Sequence, residues 1–431
     1  MLFLLLFYGH RMSKSGNVTF SPQFVFILHF FVSLQTIFQN IHVMKNMILC
    51  ATICVLSVMT TWAQDQLQPH AVIKKGQTDS LSFTQSEMER AWIESDSTDY
   101  EMIVEIGNEY IIAKNYEEAV RCYRLAAENG YAKGQCCLGF MYENGYGVTQ
   151  DYQEAFDWYR KAAEQGDAVG QRCLGVMYDF GRGVEQDYQE AVDWYRKAAE
   201  QGEAVGQCCL GFMYENGRGV AQDYQEAVDW YRKAAEQGDD VGQYNLSIMF
   251  REGNGVTQDP IEAYEWCLKA AEQGNANAQS DLGVMFYRGY GVTQDYQVAF
   301  GWYLKAAEQG YAIGQCNLAL MLREGHGVAQ DYQEALEWYR KAAEQGLDAA
   351  QWNLGVMYEN GLGVTQDYQE ALEWYRMAAE QGYSCGQFNL GVMYENGLGV
   401  EQDYQEALEW YRKAADNGND NAKKRLSELG Q

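Results

Sequence analysis

From residue 132 onward, apolar and polar positions recur in an order that fits two helices per unit. In the first unit Leu138, Met141 and Tyr142 fall at i, i+3 and i+4, which predicts a helix over about Lys133–Asn144 with one apolar face. Gly145-Tyr146-Gly147-Val148 breaks that pattern, and Gly145 suits the left-handed position that ends a helix. A second helix starts after Asp151, an N-cap residue, with Glu154 placed to complete a capping box. Ala155, Trp158, Tyr159 and Ala162 form its apolar stripe, and Gly166 ends it. Six other units repeat the Asp…Glu pair, whereas Asp295 is followed by Val298. Asp259 is followed by Pro260, whose missing N–H costs nothing in a first helical turn.

The whole pattern has a period of 36 residues: Gln recurs at 135, 171, 207, 243, 279, 315, 351 and 387, and Trp at 158, 194, 230, 266, 302, 338, 374 and 410. Eight full units therefore occupy 132–419, and 420–431 supplies a polar C-terminal capping helix with Lys423, Lys424 and Arg425. Residues 96–131 read as a divergent tetratricopeptide-like helix pair, in which Gly107, Tyr110, Ala119 and Ala126 match the later units with a shorter turn. Helix pairs that cannot bury both faces must stack on their neighbours. The expected fold is all-α, a right-handed superhelical α/α solenoid, with Leu138, Trp158, Tyr159 and their copies in the core. Gly139 and its equivalents Gly175, Gly211, Ser247, Gly283, Ala319, Gly355 and Gly391 are all small. Glycine inside a helix costs about 1 kcal/mol relative to alanine, so close helix approach under a Trp or Tyr is expected there. A flexible hinge is the alternative.

These units resemble the Sel-one-like repeat (SLR) family, relatives of tetratricopeptide repeats. Asn275-Ala276-Asn277-Ala278-Gln279, Leu354-Gly355-Val356-Met357-Tyr358 and Ala335-Leu336-Glu337-Trp338-Tyr339-Arg340-Lys341-Ala342-Ala343-Glu344 carry the likeness. Most units have Gly where the family has its second Ala, as at Gly134 and Gly170. The resemblance implies a non-catalytic protein-interaction scaffold, often an adaptor in signalling, secretion or host contact.

The first 63 residues differ in kind: they hold no Asp or Glu and only Arg11, Lys14 and Lys45 as basic residues. Residues 44–63 read as a signal peptide, with Lys45 as the positive end, Met47 to Met59 as the apolar stretch, and Thr61-Trp62-Ala63 as the cleavage site. An exported protein, periplasmic or secreted and of bacterial type, follows. Residues 1–43 are expected to be sequence upstream of a start at Met44; the alternative is an anchor, with membrane contact only if they are retained. Residues 64–95 are polar and read as a linker.

Composition narrows the chemistry. The formal charge is −28 and the pI near 4.5, which argues against nucleic acid as a partner, since phosphate binding needs clustered Lys and Arg. After the signal only His70 and His326 remain, so a histidine-rich metal site is excluded. No phosphate-binding loop, nucleophile elbow or Ser-x-x-Lys motif occurs in the exported part. No catalytic residue, cofactor, metal or small-molecule substrate is expected. Cysteine-rich relatives of the family suggest β-lactam binding or hydrolysis as a minor alternative. Cysteines of equivalent A helices stand about 8–10 Å apart, too far for an in-register disulfide ladder, so most are expected as small buried hydrophobes.

Positions that vary between units are free to recognise a partner. The position of Cys136 reads Cys136, Arg172, Cys208, Tyr244, Ser280, Cys316, Trp352 and Phe388. It lies on the first helix of each unit, which in helical repeats of this kind lines the concave face. Arg172, Tyr244, Trp352 and Phe388 are therefore the candidate contacts for a protein or peptide, because aromatic residues and arginine anchor interfaces. Ordinary filling between repeats is the competing account. The turn tips at Tyr146, Arg182, Arg218, Asn254, Tyr290, His326, Leu362 and Leu398 are a second candidate surface. Asp157/Lys161, Asp193/Lys197, Asp229/Lys233 and Glu337/Lys341 are spaced for i, i+4 ion pairs on a solvated face. A purely structural envelope or surface protein remains the alternative to a binding scaffold.

Overall fold

A computed structural model describes residues 99–430. The readings of 1–43, 44–63 and 64–95 fall outside these residues. The described chain is helical with no strand. Nine A helices alternate with nine B helices, and one helix closes the array. The A helices are α1 Tyr100–Ile112, α3 Ala132–Asn144, α5 Ala168–Phe180, α7 Ala204–Asn216, α9 Asp240–Glu252, α11 Ala276–Arg288, α13 Ala312–Glu324, α15 Asp348–Asn360 and α17 Ser384–Asn396. The B helices are α2 Tyr116–Glu128, α4 Tyr152–Glu164, α6 Tyr188–Glu200, α8 Tyr224–Glu236, α10 Pro260–Glu272, α12 Tyr296–Glu308, α14 Tyr332–Glu344, α16 Tyr368–Glu380 and α18 Tyr404–Asp416, followed by α19 Asp420–Glu428. The full repeats are numbered one to eight from α3/α4. Each B helix packs on the A helix before it and the A helix after it. Most consecutive A helices also touch, while consecutive B helices hardly do, so the array curves toward its A side.

Local chemistry sets the helix limits. Gly145 takes φ +70° and its N–H closes α3 on Met141 O. Gly147 is glycine for a second reason: at φ +68°, a Cβ there would land on the Tyr116 carbonyl of the preceding B helix. Asp151 caps α4, its Oδ1 accepting from Gln153 N at 2.9 Å and Glu154 N at 3.1 Å. The reciprocal half of the expected capping box is absent. The Asp151 N–H instead donates to Tyr142 O at 2.9 Å, tying the turn back to the A helix. That explains Val298, since Asp295 caps α12 with the same geometry and no glutamate is needed.

Packing confirms most of the expected core and corrects one part of it. Leu138, Met141, Ala155, Tyr159 and Ala162 are buried. A Cβ on Gly139 would meet the Tyr159 ring at 2.8 Å, so the small position exists to let tyrosine lie across the A helix. In repeat four both partners change together, to Ser247 and Cys267. Trp158 and its seven copies are not core: all are half-buried. They sit on the shoulder of the B helix, rotated off the Ala155/Tyr159/Ala162 stripe. Lys161 Nζ lies 3.7 Å from the Trp158 ring centre, and the same stacking recurs in every full repeat except the seventh, where Met377 replaces lysine. The expected i, i+4 pairs are displaced by this: Asp157 pairs with Arg160 at 3.0 Å and Asp193 with Arg196 at 3.1 Å, both at i, i+3. A lysine stem covers apolar surface while its ammonium finds the indole face, which leaves the carboxylate to arginine.

The recurring glutamine is an inter-helix tie. Gln135 is buried, donates to Ala127 O of the preceding B helix at 3.2 Å and accepts from Gln165 at 2.7 Å. A buried amide with both ends satisfied stabilises the stack and fixes its register.

Candidate functional site

Each A helix buries two sides, one against its own B helix and one against the preceding B helix. In the first full repeat Gly134, Gln135, Leu138, Gly139 and Met141 face these contacts and are buried. What remains is the stripe at 133, 137, 140 and 144, spaced i, i+4, i+7 and i+11, on the inner side of the curve. In repeats one to four it carries Cys137, Cys173, Cys209 and Asn245, and much of it is buried. In repeats six to eight it opens in part: Asn317, Leu320, Val356, Asn389 and Val392 are half-buried, while Asn353 between them is buried and accepts from Arg323. Amide and branched apolar side chains therefore lie side by side on a partly open surface.

The candidate contacts divide between two environments. Arg172 is 4% exposed, and its Nε donates to Glu203 Oε1 at 3.0 Å across the repeat boundary. Tyr244 is 9% exposed, and its hydroxyl donates to Asp281 at 3.1 Å. Both are covered by the next repeat, as filling between repeats requires, and present no surface to a partner. Trp352 and Phe388 are half-buried at the edge of the open stripe. Trp352 Nε1 points to Asn389 Oδ1 at 3.5 Å, and Phe388 packs 5.5 Å from the Tyr411 ring. The four residues do not form one continuous strip.

The turn tips are largely clamps. Tyr146 stacks on Tyr116 with ring centres 5.0 Å apart, and His326 on Tyr296 at 5.0 Å. Arg182 bonds Glu143 at 2.9 Å, and Tyr290 donates to Arg251 O at 3.0 Å. Each reaches the repeat before it, so variation at this position tracks the neighbour it holds.

Sequence reading missed two series. The first is the residue at 137, where cysteine in the first three units gives way to Asn245, Asp281, Asn317, Asn353 and Asn389, a change legible in the 36-residue register. The second is an acid ladder. Glu143, Glu215 and Glu395 accept the hydroxyl of the buried B-helix tyrosine at 2.9, 2.6 and 2.6 Å. Burial, followed by the carboxylate, pushes the Tyr159 hydroxyl well above its ordinary range. Repeats four to six replace the acid with Arg251, Tyr287 and Arg323. Arg251 pairs with Asp281 at 2.6 Å and Arg323 bonds Asn353 at 2.7 Å, while the Tyr339 hydroxyl is left buried without an acceptor.

Seven of the nine described cysteines are buried, and Cys316 and Cys385 are half-buried. Among the described residues no cluster of His, Cys, Asp or Glu has the makings of a metal site, and no helix is long and apolar enough to cross a membrane.

Comparison with known proteins places this architecture. The Sel1 repeat profile matches residues 105–131, 132–167, 168–203, 204–239, 241–275, 276–311, 312–347, 348–383 and 386–419. The first pair, expected to be tetratricopeptide-like, is thus matched by the same profile as the full units. A Sel1 repeat protein from Oxalobacter formigenes is similar at 31% identity and a TM-score of 0.54, over 84% of this chain and 98% of that one. The protein c5321, a protective antigen of uropathogenic Escherichia coli with an SLR fold, is 35% identical over 79% of this chain and 90% of its own, with a TM-score of 0.37. Cysteine rich protein B of Helicobacter pylori is 28% identical over 31% of this chain and 96% of its own, with a TM-score of 0.26. No curated protein matches the chain. Sel1 repeat proteins generally act as scaffolds for protein–protein interaction, without catalysis of their own. With nine matched segments in one continuous helical array, the chain belongs to the Sel1 repeat family.

Proposed function

We propose that the protein is an exported scaffold that binds an extended protein or peptide segment on the A-helix face of repeats six to eight. The observation that carries this is the open stripe there, where Asn317 and Asn389 alternate with Leu320, Val356 and Val392 and are flanked by Trp352 and Phe388. Side-chain amides suit the donors and acceptors of a peptide backbone, and the apolar residues between them suit its side chains. The B helices expose apolar side chains as well, Tyr152, Ile261 and Met377 among them, but set them among Asp, Glu, Lys and Arg. Export rests on residues 44–63.

The test is selection of peptides from a displayed random library on the immobilised full chain, followed by affinity measurement for single variants. Trp352→Ala, Phe388→Ala and Asn389→Ala are each expected to weaken a selected peptide about tenfold, the loss of one interface anchor. Trp158→Ala on the opposite face is expected to leave affinity unchanged. Binding that survives all three A-face changes refutes the assignment of the face. N-terminal sequencing of the protein from its native cells tests export separately, with Gln64 as the expected first residue.

A further inference from the structure

Neighbouring A helices do not meet at equivalent positions. At three repeat boundaries the residue at position 136 of one unit faces position 137 of the next, an offset of 37 rather than 36. Asn245 Nδ2 stands 3.6 Å from Cys208 Sγ, the Tyr244 hydroxyl 3.1 Å from Asp281, and Trp352 Nε1 3.5 Å from Asn389. The in-register distance that rules out a cysteine ladder does not apply to this diagonal contact. One residue further along, the helix has turned by about 100° toward its neighbour.

At only one boundary between full repeats does this diagonal join two cysteines. Cys136 on α3 and Cys173 on α5 occupy the same two places as Cys208 and Asn245; Cys173 lies near enough to bear on the ionisation of both Cys136 and Cys137, and the diagonal register selects Cys136. α3 and α5 are in direct contact, with Cα atoms within 8 Å of each other, and a disulfide asks the two cysteines to draw in to a Cα separation of about 4.4–6.8 Å. We propose that Cys136 and Cys173 form a disulfide that staples repeat one to repeat two along the concave side.

The chemistry is thiol–disulfide exchange with a protein or small-molecule disulfide as oxidant. The Cys136 thiolate attacks one sulfur of the donor and releases its first thiol. The Cys173 thiolate then attacks the Cys136 sulfur of the mixed disulfide and releases the second. The two cysteines give up two protons and two electrons, and the donor disulfide takes them up as two thiols. For the oxidant inside the organism, the proposal rests on the exported reading. In the folded protein Cys136 and Cys173 are 7% and 8% exposed, and Cys136 Sγ donates to Asp167 Oδ1 at 3.1 Å. The bond is therefore made while α3 and α5 are docking. Cys136 then gives up its contact with Asp167, which still caps α5 through Gly170 N at 2.7 Å. Once closed, the bond is shielded from reductants by the same burial. Cys137 neighbours the pair but belongs to the next position round the helix.

The test is refolding of the full chain in a glutathione redox buffer, blocking of remaining thiols with iodoacetamide, and peptide mapping by mass spectrometry. The expected result is a Cys136–Cys173 cross-linked peptide with the other described cysteines alkylated. Cys136→Ser and Cys173→Ser remove the link, and Cys137→Ser leaves it in place. A chain whose nine described thiols are all alkylated after oxidative refolding overturns the proposal, and so does a link through Cys137 in the wild type. The wild-type map decides the matter even if a serine variant fails to fold. Because refolding supplies its own oxidant, the result stands apart from whether the protein is exported.

Discussion

The acid ladder makes a quantitative prediction at its one shortened rung. Where Glu143 and Glu215 stand in repeats one and three, repeat two has Asp179. The side chain is one methylene shorter, a step of about 1.5 Å. Its contact with the Tyr195 hydroxyl stretches to 3.4 Å, against 2.9 Å for Tyr159 on Glu143, and Asp179 Oδ1 is buried with no hydrogen-bond partner. Arg218 lies over the Tyr188 and Phe212 rings as its counterpart Arg182 lies over Tyr152 and Phe180, but Arg182 also bonds Glu143, a contact the shorter Asp179 does not receive. Burial pushes the Asp179 carboxyl up to about 6, with Arg218 and Tyr195 only partly opposing it. An unfolded aspartate titrates near 3.9, so a shift of about two units corresponds to roughly 3 kcal/mol. The folded pKa is raised, so the folded state holds the proton more tightly. The contribution is fully present below about pH 4 and is lost as pH rises through 6. Asp179→Glu restores the reach to both Tyr195 and Arg218, and a hydrogen bond to a charged group is worth about 1.5–3 kcal/mol. We expect the variant to be about 1–2 kcal/mol more stable than wild type at pH 7 and nearly equal to it at pH 4.5. Urea midpoints at both pH values, with hydrogen exchange in α5 and α6 to localise the change, measure it. Asp239, which burial pushes up to about 7, titrates in the same window but is common to both proteins and cancels in the difference. A variant less stable than wild type at pH 7, or equally stabilised at both pH values, refutes the reasoning.

Other expectations follow from single contacts. Gly219→Ala places a Cβ on the Tyr188 carbonyl at φ +64° and is expected to cost about 3 kcal/mol or more, whereas Gly202→Ala, at φ +91° in open space, should cost about 1–2 kcal/mol; thermal unfolding of the pair compares them. In repeat four, Cys267→Tyr alone overpacks against Ser247, and adding Ser247→Gly should recover part of the loss. A double-mutant cycle is expected to give a coupling of about 1–3 kcal/mol, and additivity would show that the two positions do not touch. Gln315→Leu removes the donor to Ala307 O at 3.3 Å and the acceptor of Gln345 at 2.8 Å, and should cost about 1–3 kcal/mol in the urea midpoint.

The sequence alone determined the period, the helix limits, the N-cap aspartates, the left-handed glycines and the need for a small residue opposite an aromatic ring. Each is a short-range matter: turn geometry, capping and side-chain spacing act within about one helical turn, and eight copies of the unit repeat the signal. Only the tertiary structure decided which aromatic ring lies over Gly139, and that Trp158 stays on the shoulder while Tyr159 goes inside. Only it placed Arg172 and Tyr244 under the next repeat, and the turn tips against the one before. These contacts join residues 30 to 39 positions apart. Their pairing depends on the rotation of each repeat on its neighbour, and a strict period of 36 residues does not reveal that rotation. The same rotation leaves one stripe of each A helix uncovered, and it turns Cys136 toward Cys173.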